Sequence, residues 1–426
     1  MSLVKQITIL TNDEVRMMQW FMLCRLSGVL LSSIVVARTL PIAEVGTMEM
    51  LLFCGYLMTF FWSDAFLKGF LAKKGMAPGE LNPATFFLIY FLLGLAAMAL
   101  LLAAQSWLVP LFTGRKVLQG LPLYALYQAL IIPVWMSPFI QVLRKNIVPL
   151  LALFVLIGPS FAVWAGNQSL PGLNGILIGL LSYALVGFIW MLTQIRFSKT
   201  LWISSFLKWI WPVTWPLILY SVSTAIAKSV DAWLVAHYFD ASTFAIFRYG
   251  AREFPLVVAL SSGLSTSMIP RLVNPEAIHE LQSRSTRLMH LCYPLIAALM
   301  IMSPPLFRIF FGDAYQASAL IFNIYLLLTL TQLIFPQTIL MAKGQTQWLW
   351  WISIIELLFN IGASLAFMVS FGYIGIVWGT LVAYVVEKII LLLVVYKKYE
   401  LSPAAFVQVR TWIAYSVLVM AAFLVS

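Results

Sequence analysis

Apolar segments of about 20 residues recur along the whole 426-residue chain, and they constrain its fold more than any other feature. A helix needs about 20 apolar residues to cross ~30 Å of hydrocarbon. Hydrophobic residues make up 62% of the sequence and charged residues only 10%, a balance that a soluble core does not require. The pattern predicts an all-α, multi-pass membrane protein.

Thirteen such segments follow one another, separated by short polar breaks. None of the breaks is long enough for a folded soluble domain, so the function is expected among the helices or at their ends. The first segment contains Arg25 and has no small-residue cleavage site after it, which argues against a removed signal peptide. The predicted spans are 17–37, 46–67, 84–107, 120–141, 147–166, 173–195, 212–236, 243–269, 286–310, 317–341, 347–370, 373–396 and 410–426.

The net charge of +11 is distributed as in a membrane protein. With the N-terminus placed in the cytoplasm, the predicted cytoplasmic breaks hold 17 of the 26 Lys and Arg residues, among them Arg271, Arg284 and Arg287. This bias follows the positive-inside rule. Arg115 and Lys116 depart from it. The distribution predicts a cytoplasmic N-terminus, and membrane lipids rather than nucleic acid as partners.

The sequence contains an internal repeat. Residues 170–184 and 371–384 share a Gly-Ile-x-x-Gly pattern at an offset of 200. A weaker match places 35–50 over 235–249 at an offset of 199. One glycine pair is equally explained by the small-residue pattern of any closely packed pair of membrane helices. Two matches at nearly the same offset favour a duplication.

Six helices separate the copies, so the two halves are expected to share one orientation. The predicted domains are an N-terminal lobe at 1–200, a C-terminal lobe at 201–400 and an additional helix at 401–426. Two parallel, pseudo-symmetric six-helix lobes around a central cavity are the architecture of an alternating-access transporter.

Four segments resemble the polysaccharide-export (Wzx-type) flippases, which share the MOP superfamily with the multidrug and toxin extruders. The segments are "VARTLPIAEVGTMEM" (36–50), "STSMIPRL" (265–272), "FFGDAYQASALIF" (310–322) and "GYIGIVWGTLVAY" (372–384). Two features depart from the family: "LPIAEVG" stands where such proteins often have a glycine-proline turn, and thirteen is an unusual helix number for a family with twelve to fourteen.

The resemblance implies a two-lobed fold of 12–14 transmembrane helices. It also implies a function: movement of an undecaprenyl-diphosphate-linked oligosaccharide from the cytoplasmic to the outer leaflet of the bacterial inner membrane. Such transport serves the assembly of polysaccharides such as O-antigen or capsule, and other polysaccharide-assembly membrane proteins are expected partners.

Basic residues inside the predicted spans are candidates for binding an anionic headgroup. Arginine binds phosphate through paired, charge-assisted hydrogen bonds and stays charged when desolvated. The predicted headgroup site consists of Arg25, Lys228, Arg248 and Arg252. Lys228 also lies three residues before Asp231, on the same helix face, so a structural ion pair is the alternative. For Arg248, anchoring at a helix end is equally plausible.

The chain has no GxxxxGK[ST] phosphate loop, so coupling to a Na+ or H+ gradient is expected instead of ATP, without a bound cofactor. The predicted ion-coupling residues are Asp231, Glu356, Asn360 and Thr380, whose oxygens suit a small hard cation or a proton. Alternatives are an interhelical hydrogen bond for Asn360 and an ion pair with Lys228 or Arg252 for Glu356.

Other charges inside the predicted spans have no assigned role: Asp64, Glu253, Glu387 and Lys388. Glu387 and Lys388 lie toward the predicted cytoplasmic end of their helix, where long side chains can reach the interface. Cys24, Cys54 and Cys292 have no metal-ligand spacing and are expected to behave as small hydrophobic residues.

Three other functions compete with the flippase. A drug or metabolite antiporter of the same superfamily would need unpaired acids to bind cationic drugs. A membrane glycan polymerase or ligase would need a large polar outer loop, and the predicted outer breaks are short. A channel would not require the duplication. The prediction is a transporter and not an enzyme.

Overall fold

The computed structural model describes residues 14–76, 83–140, 148–194, 203–269, 271–272, 274 and 276–426. This part of the chain is built from helices and turns and contains no strand, which confirms the all-α prediction. The helices are α1 (Glu14–Thr39), α2 (Ile42–Met76), α3 (Pro83–Ala103), α4 (Gln105–Thr113), α5 (Leu121–Ile140), α6 (Val148–Ser169), α7 (Leu173–Gln194), α8 (Ile203–Tyr238), α9 (Ala241–Gly250), α10 (Pro255–Met268), α11 (Ala277–Phe311), α12 (Gln316–Leu327), α13 (Thr329–Gln332), α14 (Pro336–Ala342), α15 (Thr346–Tyr399), α16 (Pro403–Phe406) and α17 (Val409–Val425).

Within the described residues, eight helices are long and apolar enough to cross a membrane. Three shorter apolar helical segments accompany them: Leu121–Met136, Pro255–Ser265 and Val409–Val425. The chain is therefore a multi-pass membrane protein. Most of the thirteen predicted spans coincide with one helix, and the exceptions have local causes.

Helix α15 contains two of the predicted spans. At 1.5 Å per residue its 54 residues would extend about 81 Å, more than twice the hydrocarbon thickness. Gly372 interrupts it with φ 60° and ψ −145°, a conformation that glycine adopts readily. The hydroxyl of Ser364 then lies 3.2 Å from the carbonyl oxygen of Ile376, so the two halves fold back on each other as a helical hairpin.

Three predicted spans are wrong as continuous helices. The span 84–107 is interrupted at Ala104, between α3 and α4. The span 243–269 is broken at residues 251–254, between α9 and α10. Pro255 begins α10, and Phe254 before it is extended, with φ −72° and ψ 112°. A residue that precedes proline avoids the helical region, which explains this break. The span 317–341 is likewise divided, with α14 beginning at Pro336.

The helices form two compact units. The N-terminal unit comprises Met1–Ser229 with Ala236–Ala245, and the C-terminal unit comprises Val230–Val235 with Ile246–Ser426. The division falls inside α8 rather than at the basic break around residue 200, and it groups α17 with the C-terminal unit.

Close backbone packing explains why the residues after 235 belong to the N-terminal unit. A Cβ atom on Gly46 would lie 1.7 Å from the carbonyl oxygen of Ala241, and one on Gly114 would lie 2.3 Å from that of His237. Only glycine permits these approaches of α2 and α4 to the end of α8 and the start of α9. Glu44 of α2 also accepts a hydrogen bond from the backbone N–H of Leu173, at 2.7 Å, and so caps α7.

In the C-terminal unit the core surrounds α11, where Tyr293, Ile296 and Met300 are fully buried. Helix α17 packs against it. The Tyr415 hydroxyl lies 2.7 Å from Nδ1 of His290, and the indole N–H of Trp412 donates to the carbonyl oxygen of Leu330 at 3.0 Å. The last helix is thus held by specific polar contacts as well as by apolar packing.

Candidate ion and headgroup sites

Asp231 is a buried carboxylate in the part of α8 that belongs to the C-terminal unit, and it is 8% exposed. Its Oδ2 atom accepts hydrogen bonds from the hydroxyls of Tyr325 and Thr380, each at 2.7 Å. Its Oδ1 atom is buried and makes no hydrogen bond to a described residue. A buried carboxylate is costly unless it is compensated, and ionisable residues inside membrane proteins are candidates for functional sites, so Asp231 is a candidate functional residue.

The α15 hairpin supplies most of the other polar atoms. Thr380 lies on its second half, and its Oγ1 atom is 3.2 Å from Oδ1 of Asn360 on the first half. Ser364, one turn after Asn360, donates to the same Oδ1 at 3.0 Å. Asn360, Ser364 and Thr380 are all buried. The Gly372 turn brings these side chains together because it sets the two halves antiparallel.

We define this cluster as Asp231, Tyr325, Asn360, Ser364 and Thr380. Its donors are the three hydroxyls and the amide N–H groups of Asn360. Its acceptors are both oxygens of Asp231, Oδ1 of Asn360 and the carbonyl oxygen of Ile376, which lies 3.2 Å from each of two hydroxyl oxygens. Several oxygens gathered around a buried carboxylate suit a small cation or a proton.

The ligand types further restrict the ion. The described residues contain no group of three or more His, Cys, Asp and Glu side chains that would hold a metal ion. One carboxylate with amide and hydroxyl oxygens gives a hard, singly charged site, which fits Na+ or H+ better than a transition metal.

Glu356, the fourth residue predicted for ion coupling, lies beside the cluster rather than in it. It is half-buried and makes no ion pair with a described residue. It interacts electrostatically with Glu387 and Asp231. The alternative of an ion pair with Arg252 is therefore not realised in the described structure.

Glu387 and Lys388 differ from the sequence expectation of an interfacial position. Lys388 is only 7% exposed, and its ammonium group donates to Oε1 of Gln337 at 3.0 Å. Glu387 is half-buried and interacts electrostatically with Lys388. Lys388 therefore links the second half of α15 to α14.

Two predicted residues lie outside the described side chains. The backbones of Asp64 and Lys228 are helical, in α2 and α8, but the described contacts do not include their side chains. The predicted pair between Lys228 and Asp231 stays a prediction.

Arg25 occupies a separate site in the N-terminal unit. Its guanidinium carbon lies 4.8 Å from the centre of the Trp135 ring, a cation–π geometry. Tyr127 and Tyr183 are close enough to interact with it electrostatically. Helix α1 approaches α6 closely one turn later, because a Cβ atom on Gly28 would lie 2.0 Å from the carbonyl oxygen of Val155. Among the described residues, this site consists of the Arg25 cation and the aromatic side chains of Trp135, Tyr127 and Tyr183.

Arg252 and Glu253 lie in the break between α9 and α10, and not in a helix as predicted. The Nε–H group of Arg252 donates to the carbonyl oxygen of Arg248 at 3.3 Å, and its guanidinium carbon is 5.5 Å from the centre of the Tyr249 ring. Gln332 donates to Glu253 at 3.4 Å. Broken helices at such positions form ion and substrate sites in many transporters.

The sequence interpretation missed Tyr325, Ser364 and Trp135. Ser364 follows Asn360 by four residues and shares its helix face, so this spacing was a usable signal. Tyr325 interrupts an apolar run, a weak signal. Nothing in the sequence pairs Trp135 with Arg25.

The fold is similar to that of several solved transport proteins. No known family model matches the sequence, and no curated protein matches it. A structure of the lipid II flippase MurJ in an inward closed conformation matches with a TM-score of 0.65 and 16% identity, over 96% of this chain and 92% of that one. The chain therefore has a fold similar to that of this flippase.

Two multidrug transporters extend the comparison. An inward-facing MATE family transporter of the MOP superfamily matches with a TM-score of 0.56 and 14% identity, over 92% of this chain and 95% of that one. The MATE multidrug transporter DinF-BH matches with a TM-score of 0.54 and 16% identity, over 93% of this chain and 96% of that one. All three of these similar structures are transport proteins.

Proposed function

We propose that the chain is an ion-coupled flippase for an undecaprenyl-diphosphate-linked oligosaccharide, acting from the cytoplasmic to the outer leaflet of the bacterial inner membrane. The observation that carries this proposal is the likeness to the lipid II flippase over 96% of the chain. Lipid II is the substrate of that protein, and the extension to a polysaccharide precursor is our inference from the sequence resemblance.

The arginines support an anionic substrate. Among the described side chains, Arg25 lies beside an aromatic ring and makes no ion pair with an acid, so its guanidinium edge offers donors for phosphate oxygens. Arg252 lies in a helix break, and the hydrogen bond described for its guanidinium uses only the Nε–H group. We propose that Arg25, Arg248, Arg252 and Lys228 bind the diphosphate.

The Asp231 cluster supports ion coupling. In our mechanism the ion enters between Oδ1 of Asp231 and Oδ1 of Asn360, while the hydroxyls of Tyr325 and Thr380 hold the carboxylate in place. Binding is coupled to the α15 hairpin, because Asn360 and Thr380 lie on its opposite halves. An ion that binds one arrangement of the hairpin better than another shifts the population toward it.

The test is reconstitution into liposomes with a lipid-diphosphate-linked oligosaccharide. Its appearance in the opposite leaflet is followed with a Na+ gradient, with an H+ gradient and with neither. We expect one gradient to accelerate flipping. Thr380→Val is expected to abolish the acceleration and Thr380→Ser to retain it, because only the serine keeps the hydroxyl that bonds Asp231. Flipping that neither gradient alters would contradict coupling, and no flipping by folded protein would contradict the flippase.

The alternative is a MATE-like drug or metabolite antiporter. It is favoured by the likeness to two multidrug transporters and by the acids Asp231, Glu253 and Glu356 in the C-terminal unit. The same liposomes distinguish the two functions: gradient-driven movement of a cationic dye, without movement of the glycolipid, would replace the flippase by the antiporter.

A further inference from the structure

A cavity of about 640 Å³ lies between α10 and the first turns of α11, apart from the Asp231 cluster and the helix break. One of its walls is the α10 stripe of Ala259, Gly263 and Ser267. The opposite wall is an α11 stripe that includes Arg284 and Arg287. The cavity lies wholly within the C-terminal unit. The proposed transport function uses none of these residues.

The α11 wall carries a surplus of positive charge. Oε1 of Glu280 lies 2.7 Å from nitrogens of both Arg271 and Arg284, so one acid is shared by two arginines. Arg287, one turn further along the same stripe, is exposed and makes no ion pair with a described residue. The side chains that line or border the cavity therefore offer unneutralised guanidinium groups, which suit a phosphate.

The cavity lining combines polar and apolar side chains. Glu280, Ser283 and Arg284 lie at the end near the start of α11. Leu260 and Leu288 lie further from that end, on the two facing helices, and Arg287 directly precedes Leu288. A headgroup bound at the arginines would place an attached acyl chain against these leucines.

The length of α11 sets the depth of this cavity. Its 35 residues extend about 52 Å, beyond the ~30 Å of hydrocarbon. The apolar part ends at Phe311, so the polar turns before about Leu288 extend into the headgroup region. The charge pattern of the sequence assigns Arg271, Arg284 and Arg287 to the cytoplasmic side, where the leaflet is rich in anionic lipids.

Gly263 keeps the cavity open. A Cβ atom added to it would meet no described heavy atom within 4 Å, in contrast to the close approaches at Gly46 or Gly114. The absence of a side chain here serves no tight helix packing, and a larger residue would enter the cavity.

We propose that the cavity between α10 and α11 binds one anionic membrane phospholipid, with its phosphate on Arg284 and Arg287 and an acyl chain on Leu260 and Leu288. The lipid is a constituent of the surrounding membrane and not the transported substrate. The site therefore stands or falls independently of the flippase function.

The test is native mass spectrometry of the purified full chain with equimolar dioleoyl phosphatidylglycerol and dioleoyl phosphatidylcholine. The two lipids have the same chains, so a preference reports on the headgroup. We expect the chain to retain phosphatidylglycerol about tenfold better. Arg284→Gln with Arg287→Gln is expected to reduce that preference to about one. The phosphatidylglycerol preference is expected to persist in Arg308→Gln, which removes an exposed arginine at the other end of α11.

A second variant separates shape from charge. Gly263→Leu fills the cavity without altering a charge, and we expect it to remove phosphatidylglycerol retention. Gly362→Leu is the matched control. Gly362 is also a helical glycine, and a Cβ atom added to it would meet no described heavy atom within 4 Å. Arg287→Gln alone serves if a double change prevents folding, since Arg287 holds no ion pair in the described structure.

Three outcomes would overturn the proposal. The first is equal retention of the two lipids by the unaltered chain. The second is an unchanged preference in the arginine variants or in Gly263→Leu. The third is displacement of phosphatidylglycerol by a prenyl diphosphate at lower concentration, lost in the same variants, which would make the cavity an entry site for the transported lipid.

Discussion

Each unit contains a joint, by which we mean two consecutive helices packed closely at a glycine. The side chains around the two joints differ. In the N-terminal unit a Cβ atom on Gly179 of α7 would lie 2.1 Å from the carbonyl oxygen of Ala162. In the C-terminal unit one on Gly379 would lie 2.5 Å from the backbone nitrogen of Ser364. The repeated glycines thus serve the same close packing of consecutive helices in both units.

The side chains at equivalent positions explain the difference. At the repeat offset of 200, Asn360 and Thr380 correspond to Ser160 and Leu180. Leu180 is buried, and Ser160 Oγ makes no hydrogen bond to a described residue. The N-terminal joint is therefore mostly apolar, whereas Asn360, Ser364 and Thr380 make the C-terminal joint polar. The close packing is duplicated, whereas the polar side chains around it are not.

The largest effect is expected at Asp231. Asp231→Asn removes the charge at the centre of the cluster, and we expect it to reduce gradient-stimulated flipping by about a hundredfold, near the upper end of ordinary coupling energies. Initial rates in liposomes with and without the gradient measure it. Asp240→Asn is the control, because Asp240 is an exposed acid at a helix start. Unaltered gradient dependence in Asp231→Asn would contradict an ion-coupling role for the cluster in the C-terminal unit.

A smaller effect is expected at Arg25. Arg25→Ala is expected to lower flipping at least about tenfold, or about 1.4 kcal/mol, and Arg25→Lys to retain part of it because the charge remains. Trp135→Leu removes the cation–π contact that positions Arg25. We expect this change to weaken the free energy of substrate binding by about 0.5–2 kcal/mol. Flipping rates measured up to saturating substrate concentration separate weaker binding from slower transport. Full activity of Arg25→Ala would remove the anion role of the N-terminal unit.

The close helix packing at Gly179 and at Gly379 gives a prediction about stability. Gly179→Ala and Gly379→Ala each force apart two helices in close contact, and overpacking of this kind costs about 1–3 kcal/mol. We expect both variants to lower the thermal unfolding midpoint in detergent by similar amounts. Gly362→Ala, where space is open, should not lower it. A large effect at only one of Gly179 and Gly379 would show that the joints are not equivalent.

The smallest effect is expected at Asp240, at the start of α9. Its carboxylate accepts a hydrogen bond from the N–H of Thr243 at 2.9 Å, and bonding to Thr243 lowers its pKa. Asp240→Ala should cost about 1 kcal/mol and Asp240→Asn much less. Because the folded pKa is lowered, this stabilisation is complete above the ordinary aspartate pKa of about 3.9 and is lost as the pH falls through the folded value. Unfolding midpoints of both variants at neutral and acid pH measure it; an equal loss in Asp240→Asn would contradict a capping role.

The sequence predicted those features that depend on local spacing. Hydropathy located the membrane helices, and polar residues at intervals of four within apolar runs indicated Asn360 and its neighbours. Three of the four residues predicted for ion coupling lie in one hydrogen-bonded cluster. Their role in transport stays a prediction.

Features that depend on backbone breaks or on tertiary contacts were not predicted. A hydropathy window averages over residues 251–254, so the break that holds Arg252 was counted as helix, although Pro255 signalled it. The contacts of Tyr325 with Asp231 and of Trp135 with Arg25 join residues far apart in sequence, and no local pattern encodes them.

The tight turn at Gly372 also bears on how the chain enters the membrane during synthesis. Two apolar helices joined without a polar loop leave little hydrophilic chain to translocate, so we expect 346–371 and 373–399 to insert as one hairpin. Asn360 and Thr380 then meet each other's polar groups before they meet lipid. The residues that we propose for ion coupling would thus be protected from lipid from the moment of insertion.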